Sequence, residues 1–251
     1  MVLFCQIQVH TKGHIMIKRA FVIPREVLVD SGFIPRDING KSLYTKLRGQ
    51  KDLEKLITLA QNYGLSRERG GDNNVEYDAS VQQLIVYGFI QLKDGRFMLY
   101  QRGAEAYTES RLAGKVALGI GGHVEPTDLS LMDSFYRELE EEIAIEVDGK
   151  PVSFRKPDGA IDVPLMQQYI TVEPVGIIKD ESEEVGIVHL GIAFRLTPTK
   201  DGLNASIRPE DGQNVRSFFV TPKEYIALTR SGDIVTEGWT DIVFREEILN
   251  S

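Results

Sequence analysis

The chain of 251 residues holds a single cysteine, Cys5, so no disulfide can form within it. That fits a reducing compartment, and a cytoplasmic location is the expectation. Long hydrophobic runs are missing as well. No apolar stretch approaches the roughly 20 residues that a membrane helix needs. The first ten residues, Met1 to His10, have no basic start and alternate apolar with polar. They read as a strand and not as a signal peptide. A basic excess is also lacking: 29 Lys plus Arg stand against 37 Asp plus Glu, a net charge of −8. This argues against broad binding of duplex nucleic acid, which needs a cationic face to displace counterions, and neither duplex nucleic acid nor a membrane is an expected partner. The acid balance does not exclude a small anionic ligand, provided a cation supplies the missing positive charge.

What is present is an ordinary globular composition, 42% hydrophobic and 26% charged. The length suits one large domain, or one domain with a small addition. Residues 1–80 differ in texture from the rest and read as an N-terminal extension or small subdomain. Within them Leu53, Leu56, Ile57 and Ala60 fall at helical spacing, with Gly64 as a stop. The polar stretch from Ser66 to Asn74 is the linker candidate. Residues 81–251 then form the main domain. Leu84 to Leu92 and Arg96 to Gln101 read as strands joined at Lys93-Asp94-Gly95, since Asp-Gly between apolar runs signals a hairpin. Later strands are expected at Met166–Val172, Gly186–Leu196 and Val215–Val220. A helix is expected from about Leu129 to Ala144, and another from Thr221-Pro222-Lys223-Glu224, a capping box with proline at the first helical position. A terminal helix is expected over about Thr240 to Leu249. Strands mixed with a few helices point to an α+β fold, or to a mixed sheet between helices.

The chemistry is concentrated between Gly119 and Ile145. Met132, Phe135, Tyr136, Leu139 and Ile143 make one apolar helical stripe. Glu138, Glu141 and Glu142 stand at i, i+3 and i+4, so three carboxylates crowd one another on a different face. Such crowding calls for a counter-charge, and a hard divalent cation with oxygen ligands is the natural one. Gly119, Gly121 and Gly122 precede the helix, where the backbone turns sharply or approaches a ligand closely. Carbonyls exposed there can join the carboxylates. Each feature alone is commonplace, a solvated glutamate face or a turn. Together, in this order, they are much rarer by chance.

The stretch from Gly122 to Ile145 resembles the Nudix box, whose pattern is Gly, five residues, Glu, seven residues, then Arg-Glu-apolar-x-Glu-Glu-x-Gly-apolar. Arg137-Glu138-Leu139-Glu140-Glu141-Glu142 matches its core, and Gly122 fits its first glycine. Asp128 stands in place of the first Glu, eight residues separate it from Arg137, and Ala144 replaces the late glycine. The run Arg111-Leu112-Ala113-Gly114-Lys115 leading into Gly-Ile-Gly-Gly-His is similar to a bacterial branch of the family described as phosphoesterases.

The resemblance implies a Nudix-type α/β/α sandwich with a mixed β-sheet, carrying the N-terminal extension. It implies a metal-dependent pyrophosphohydrolase that cleaves a diphosphate linkage in a nucleoside diphosphate derivative or similar small molecule. Glu138, Glu141 and Glu142 would be the catalytic carboxylates and the ligands of Mg²⁺ or Mn²⁺, joined by a carbonyl of Gly121 or Gly122. One of them would act as general base, and Arg137 would hold a box glutamate in register. Asp128 is left between a site role and a helix cap. An extra acidic ligand is expected outside the box. Glu210 is preferred over Asp211, with Glu181, Glu183 and Glu184 read as a solvated tip. Arg102, Arg111 and His123 are the candidate substrate contacts, His123 being balanced against an ordinary loop histidine. Trp239 and Tyr107 could stack on a base, but a lone aromatic is more often core. The expected partner is a phosphorylated, nucleotide-like small molecule, and a homodimer is left open. Two other readings compete. One is a non-catalytic module of the same fold that senses such a ligand. The other, ranked last, is an isoprenoid-diphosphate isomerase, whose chemistry uses an active-site cysteine, whereas Cys5 is far from the box in sequence.

Overall fold

In the computed structural model the described residues are 18–70, 74–101, 114–128, 130–199, 203–208 and 215–250. In chain order the first elements are β1 (Lys18–Pro24), α1 (Arg25–Asp30), β2 (Ser42–Lys46), α2 (Gln50–Tyr63), β3 (Leu65–Arg69) and β4 (Val81–Ile90), with a 3-10 turn at Val75–Tyr77. Then come β5 (Phe97–Gln101), β6 (Val116–Ala117), β7 (Gly119–Ile120), α3 (Leu131–Glu142), β8 (Ile143–Val147) and β9 (Lys150–Val152). The remainder is α4 (Val163–Gln167), β10 (Ile170–Asp180), α5 (Glu184–Ile187), β11 (His189–Pro198), β12 (Leu203–Ile207), β13 (Arg216–Val220), α6 (Pro222–Ser231) and α7 (Gly238–Val243). A π-helical turn, Phe244–Leu249, follows directly.

The main sheet runs β2-β10-β11-β4-β1-β3, with β7 also on β4. Only β4 and β11 pair in parallel; the other pairs in this sheet are antiparallel. Side chains alternate across it. Leu84 and Val86 of β4, with Leu190, Ile192 and Phe194 of β11, share one core with α1, α2 and α3. Tyr87 and Phe89, with Ala193, share the other with α6, α7 and the π-helical turn. The α+β, helix-sheet-helix arrangement is therefore observed, around a mixed sheet.

Several local expectations are met. Helix α2 buries Leu53, Leu56 and Ala60. Thr221 and Glu224 form the capping box of α6, and Gly232 ends it with φ +79. Others are corrected. The Asp-Gly turn forms, with Gly95 at φ +87. Beyond the single bridge Gln91–Phe97, however, the two strands part, and β5 pairs with β13 and β6 in a separate sheet. The start of the strand expected at Met166 is helical instead. Asp162 caps Leu165 N–H and a proline sits in the first turn of α4, so the strand begins only at Ile170. Likewise α5 occupies Glu184–Ile187 before β11 begins. The stretch read as a linker opens as strand: Ser66 to Arg69 pair with Phe21 to Lys18. The terminal helix starts at Gly238 and becomes π-helical from Phe244.

Candidate functional site

The glycine run is mostly extended chain laid along β4. Gly88 pairs with Ile120, Phe89 with Gly119, and Ile85 with His123. Between these points the carbonyl of Gly122 accepts from Val86 N–H at 2.9 Å. Two close approaches require glycine here. Gly121 has φ +135, and a Cβ on it would lie 1.9 Å from the Val86 carbonyl oxygen. A Cβ on Gly122 would lie 2.7 Å from Glu138 Oε2, so the bare Cα of Gly122 is the floor on which that carboxylate rests.

Helix α3 begins after Ser130, whose hydroxyl accepts from Asp133 N–H at 3.1 Å. The helix cap is therefore Ser130, and Asp128 has another task. Arg137 reaches back across the loop, with Nε 3.2 Å from Asp128 Oδ1 and Nη2 3.0 Å from Oδ2. Asp128 also accepts from Ser134 Oγ at 2.6 Å and from Glu125 N–H at 2.9 Å. Desolvation opposes its charge, but hydrogen bonds from Arg137 and Ser134 hold its carboxyl below the ordinary range. The other end of the fork serves the glutamates: Arg137 Nη1 lies 2.6 Å from Glu138 Oε1 and 3.5 Å from Glu141 Oε2.

Glu138 is almost fully buried, and desolvation pushes its carboxyl up to about 7. Arg137 opposes that shift, while Glu141 and Glu125 add to it through their charges. Glu141, half-exposed, is raised too, first by desolvation, and again Glu125 contributes. Glu125, which sequence reasoning passed over, thus belongs to the same electrostatic neighbourhood. Glu142 is the last residue of α3, and its carbonyl accepts from Arg208 N–H at 2.7 Å. The chain then enters β8 directly, extended at Ile143, so the alanine at 144 needs no left-handed backbone.

Glu140 was passed over as well. It is buried, with Arg155 Nε at 2.7 Å and Arg208 Nη1 at 3.7 Å. Arg155 also extends to Glu141, 3.7 Å away. Its buried carboxylate therefore ties the helix to two cationic segments. Nothing in the spacing marks it, because the partners come from distant loops.

His123 is split between two faces. Its backbone carbonyl accepts from Arg137 Nη2 at 3.3 Å. Its side chain shares the Ile85 face of the sheet, opposite the Leu84 and Val86 face that packs on α3. There the imidazole is buried, with Nε2 3.1 Å from His189 Nε2 and Nδ1 facing Arg69 at 3.4 Å. His189 Nδ1 lies against the Val185 carbonyl, so it carries the proton. In neutral rings His189 Nε2 then accepts, His123 Nε2–H donates, and His123 Nδ1 accepts from Arg69. Desolvation keeps both rings neutral, with His123 well below 6.5 and His189 lowered to about 4.

The remaining expected residues divide. Arg102, Arg111, Tyr107, Glu210 and Asp211 lie outside the described residues. Glu181 is no solvated tip: it pairs with Arg25 at 2.6 Å and with Lys179 at 3.5 Å. Glu183 and Glu184 are exposed, as read. Trp239 stacks edge-on against Tyr87 at 5.5 Å and lies over Gly191, partly buried against the core.

The charged side of this arrangement is all oxygen: Glu138, Glu141 and Glu142 on one helix, with Gly122 beneath Glu138. Oxygen donors suit a hard divalent cation. Burial raises the Glu138 carboxyl even with Arg137 Nη1 only 2.6 Å from it.

No family model matches the chain. Over 149 residues, 56% of its length, it is 35% identical to Protein YmaB of Bacillus subtilis (strain 168). It spans 61% of that protein, less than two thirds. Among solved structures it resembles that of Tm1382, described as "a putative Nudix hydrolase", with a TM-score of 0.60 and 19% identity. That likeness covers 93% of this chain and 100% of the other, and it shows a Nudix-type fold. DR0079 from Deinococcus radiodurans follows with a TM-score of 0.43 and 15% identity, over 65% of this chain and 82% of that one.

Proposed function

We propose that this protein is a divalent-cation-dependent hydrolase of P–O–P linkages in small, nucleotide-like phosphorylated molecules. The observation that carries the reading is the carboxylate cluster, in which Glu138 is buried against Gly122 and kept in line with Glu141 by Arg137, itself clamped by Asp128. Glu138, Glu141 and Glu142 are the proposed ligands of Mg²⁺ or Mn²⁺, with a carbonyl of Gly121 or Gly122. Bound there, the cation would lower the pKa of a water and neutralise charge developing on the bridging oxygen.

The chain's own groups do the rest. A carboxylate of the cluster takes the proton as water attacks phosphorus and the P–O bond to the bridging oxygen breaks. Arg137 keeps the glutamates in register and Asp128 keeps Arg137 in place. Arg102 and Arg111 are proposed phosphate contacts, and Glu210 an additional ligand. The reacting groups all fall within 81–251. The imidazole of His123, on the far face of the sheet, takes no part in this step.

The test is product release from a panel of nucleoside di- and triphosphates, dinucleoside polyphosphates, nucleotide sugars and dinucleotides. It is run with Mg²⁺, with Mn²⁺ and with chelator, beside Glu141→Gln. Cation-dependent cleavage lost in the variant is expected. Tight binding of a panel member without product would favour a sensing module.

A further inference from the structure

On the sheet face opposite α3, polar side chains gather where an apolar core would be expected. His189 is the direct strand partner of Gln83 across β4 and β11, so both project to one side. His123 lies beside them, two residues along, through its pairing with Ile85. Glu76 is close by: one ligand atom each from Glu76, His123 and His189 fall within 4.8 Å of one another. Gln83 is fully buried, and among the described residues neither its Oε1 nor its Nε2 has a hydrogen-bond partner. A buried amide with both ends unmet is costly and calls for an occupant, an ion or water, next to it.

We propose that His123, His189 and Glu76 form a second cation site, selective for a transition metal of the zinc class and separate from the glutamates of α3. Imidazole nitrogens favour such ions over Mg²⁺. Two nitrogens on a tetrahedral zinc stand about 3.3 Å apart, and the Nε2 atoms here are 3.1 Å apart. His189 is already oriented as a ligand, since its Nδ1 proton is held by the Val185 carbonyl and its Nε2 lone pair faces the centre. Two histidines and a glutamate leave the fourth position open for water. The Gln83 amide is the group on hand to bond that water.

Arg69 is the gate to this site. Its Nε holds Glu76 at 2.7 Å, and its Nη1 faces His123 Nδ1. For His123 to offer its Nε2 lone pair, its proton must move to Nδ1, where an Arg69 N–H now points. The guanidinium must therefore release both residues; Arg69 is the last residue of the edge strand β3 and its side chain is partly exposed. The metal-free state is the ion-paired one, and metal binding competes with Arg69.

The experiment is titration of the chelator-stripped full chain with Zn²⁺, and with Co²⁺ followed by visible absorption, in a large excess of Mg²⁺. One Zn²⁺ per chain is expected to stay bound, and Co²⁺ to give the intense bands of a tetrahedral site. Glu76→Gln should weaken Zn²⁺ at least about tenfold, while Arg69→Gln should tighten it. Glu141→Gln should leave it unchanged, which separates this site from the hydrolase reading. The inference is overturned if the wild type binds no Zn²⁺, if Glu76→Gln and Arg69→Gln bind as the wild type does, or if Glu141→Gln abolishes binding.

Discussion

Arg137 grips Asp128 with two nitrogens, at 3.2 and 3.0 Å, although eight residues separate them. The loop between Gly122 and the helix absorbs the extra residue: Ser130 takes over the cap, and Asp128 stays behind to face the guanidinium. Both side chains are largely shielded, and Arg137 passes the constraint on to Glu138 and Glu141.

Asp128→Ala removes the main partner of a partly buried cation and leaves Ser134 Oγ only the longer bond to the Ser130 carbonyl, at 3.3 Å. We expect a loss of about 2 kcal/mol in unfolding free energy, between a surface pair and a fully buried one. Glu125→Ala, on the same loop, should cost less than half of that. Denaturant unfolding of the two variants decides it; equal losses would mean the Arg137 clamp carries no special weight.

The glycines give a contrasting pair. Gly121→Ala meets both a positive φ and the Val86 carbonyl, so the variant should fail to fold. Gly122→Ala meets only the Glu138 carboxylate, which can shift. It should fold, melt within a few degrees of the wild type, and lose most turnover. Circular dichroism and product release separate the cases, and full activity in Gly122→Ala would contradict the placement of Glu138.

Glu138 sets a pH dependence in the metal-free protein. Its carboxyl titrates near 7 folded, against 4.5 ordinarily. Between those values the native state keeps a proton that the unfolded state has lost. The stability it contributes is therefore complete below pH 4.5 and is lost as pH rises through 7, by up to about 3 kcal/mol. Glu138→Gln should flatten that fall. Urea melts at pH 5 and pH 8 in chelator test it, and parallel profiles for the two proteins would refute it.

The histidine pair acts with the opposite sign. His189 titrates near 4 and His123 well below 6.5, so the unfolded chain takes up protons first as pH falls. Stability from the pair is complete above pH 6.5 and lost toward 4. In proton NMR the His189 imidazole signal should stay in the neutral position down to about pH 5, and that of His123 should stay neutral through 6.5. A midpoint near 6.5 for either would show the pair to be solvated.

Much of this was legible in the sequence, for identifiable reasons. The period of Phe135, Tyr136 and Leu139 and the Thr221–Glu224 box are local, and local patterns survive folding. The placing of three carboxylates on one helix is local too. What the sequence hid depends on pairing across distance. Glu140 gains Arg155 and Arg208 from later segments. His123 meets His189, 66 residues on, because β11 lies parallel to β4. The Asp-Gly turn was visible, but not that its strands would part into two sheets. Asp162 and the proline at 164 did carry a helix-start signal before Met166, and apolar residues there masked it.

The most direct test of the central claim is the rate of product release by the wild type and Glu141→Gln, with Mg²⁺ and with chelator, on the best substrate of the phosphate panel. Glu141 is half-exposed, so the variant should stay folded. The account predicts cation-dependent cleavage that falls by at least about a hundredfold in the variant, in line with losing a principal source of charge stabilisation. A folded Glu141→Gln protein that cleaves at the wild-type rate would contradict it.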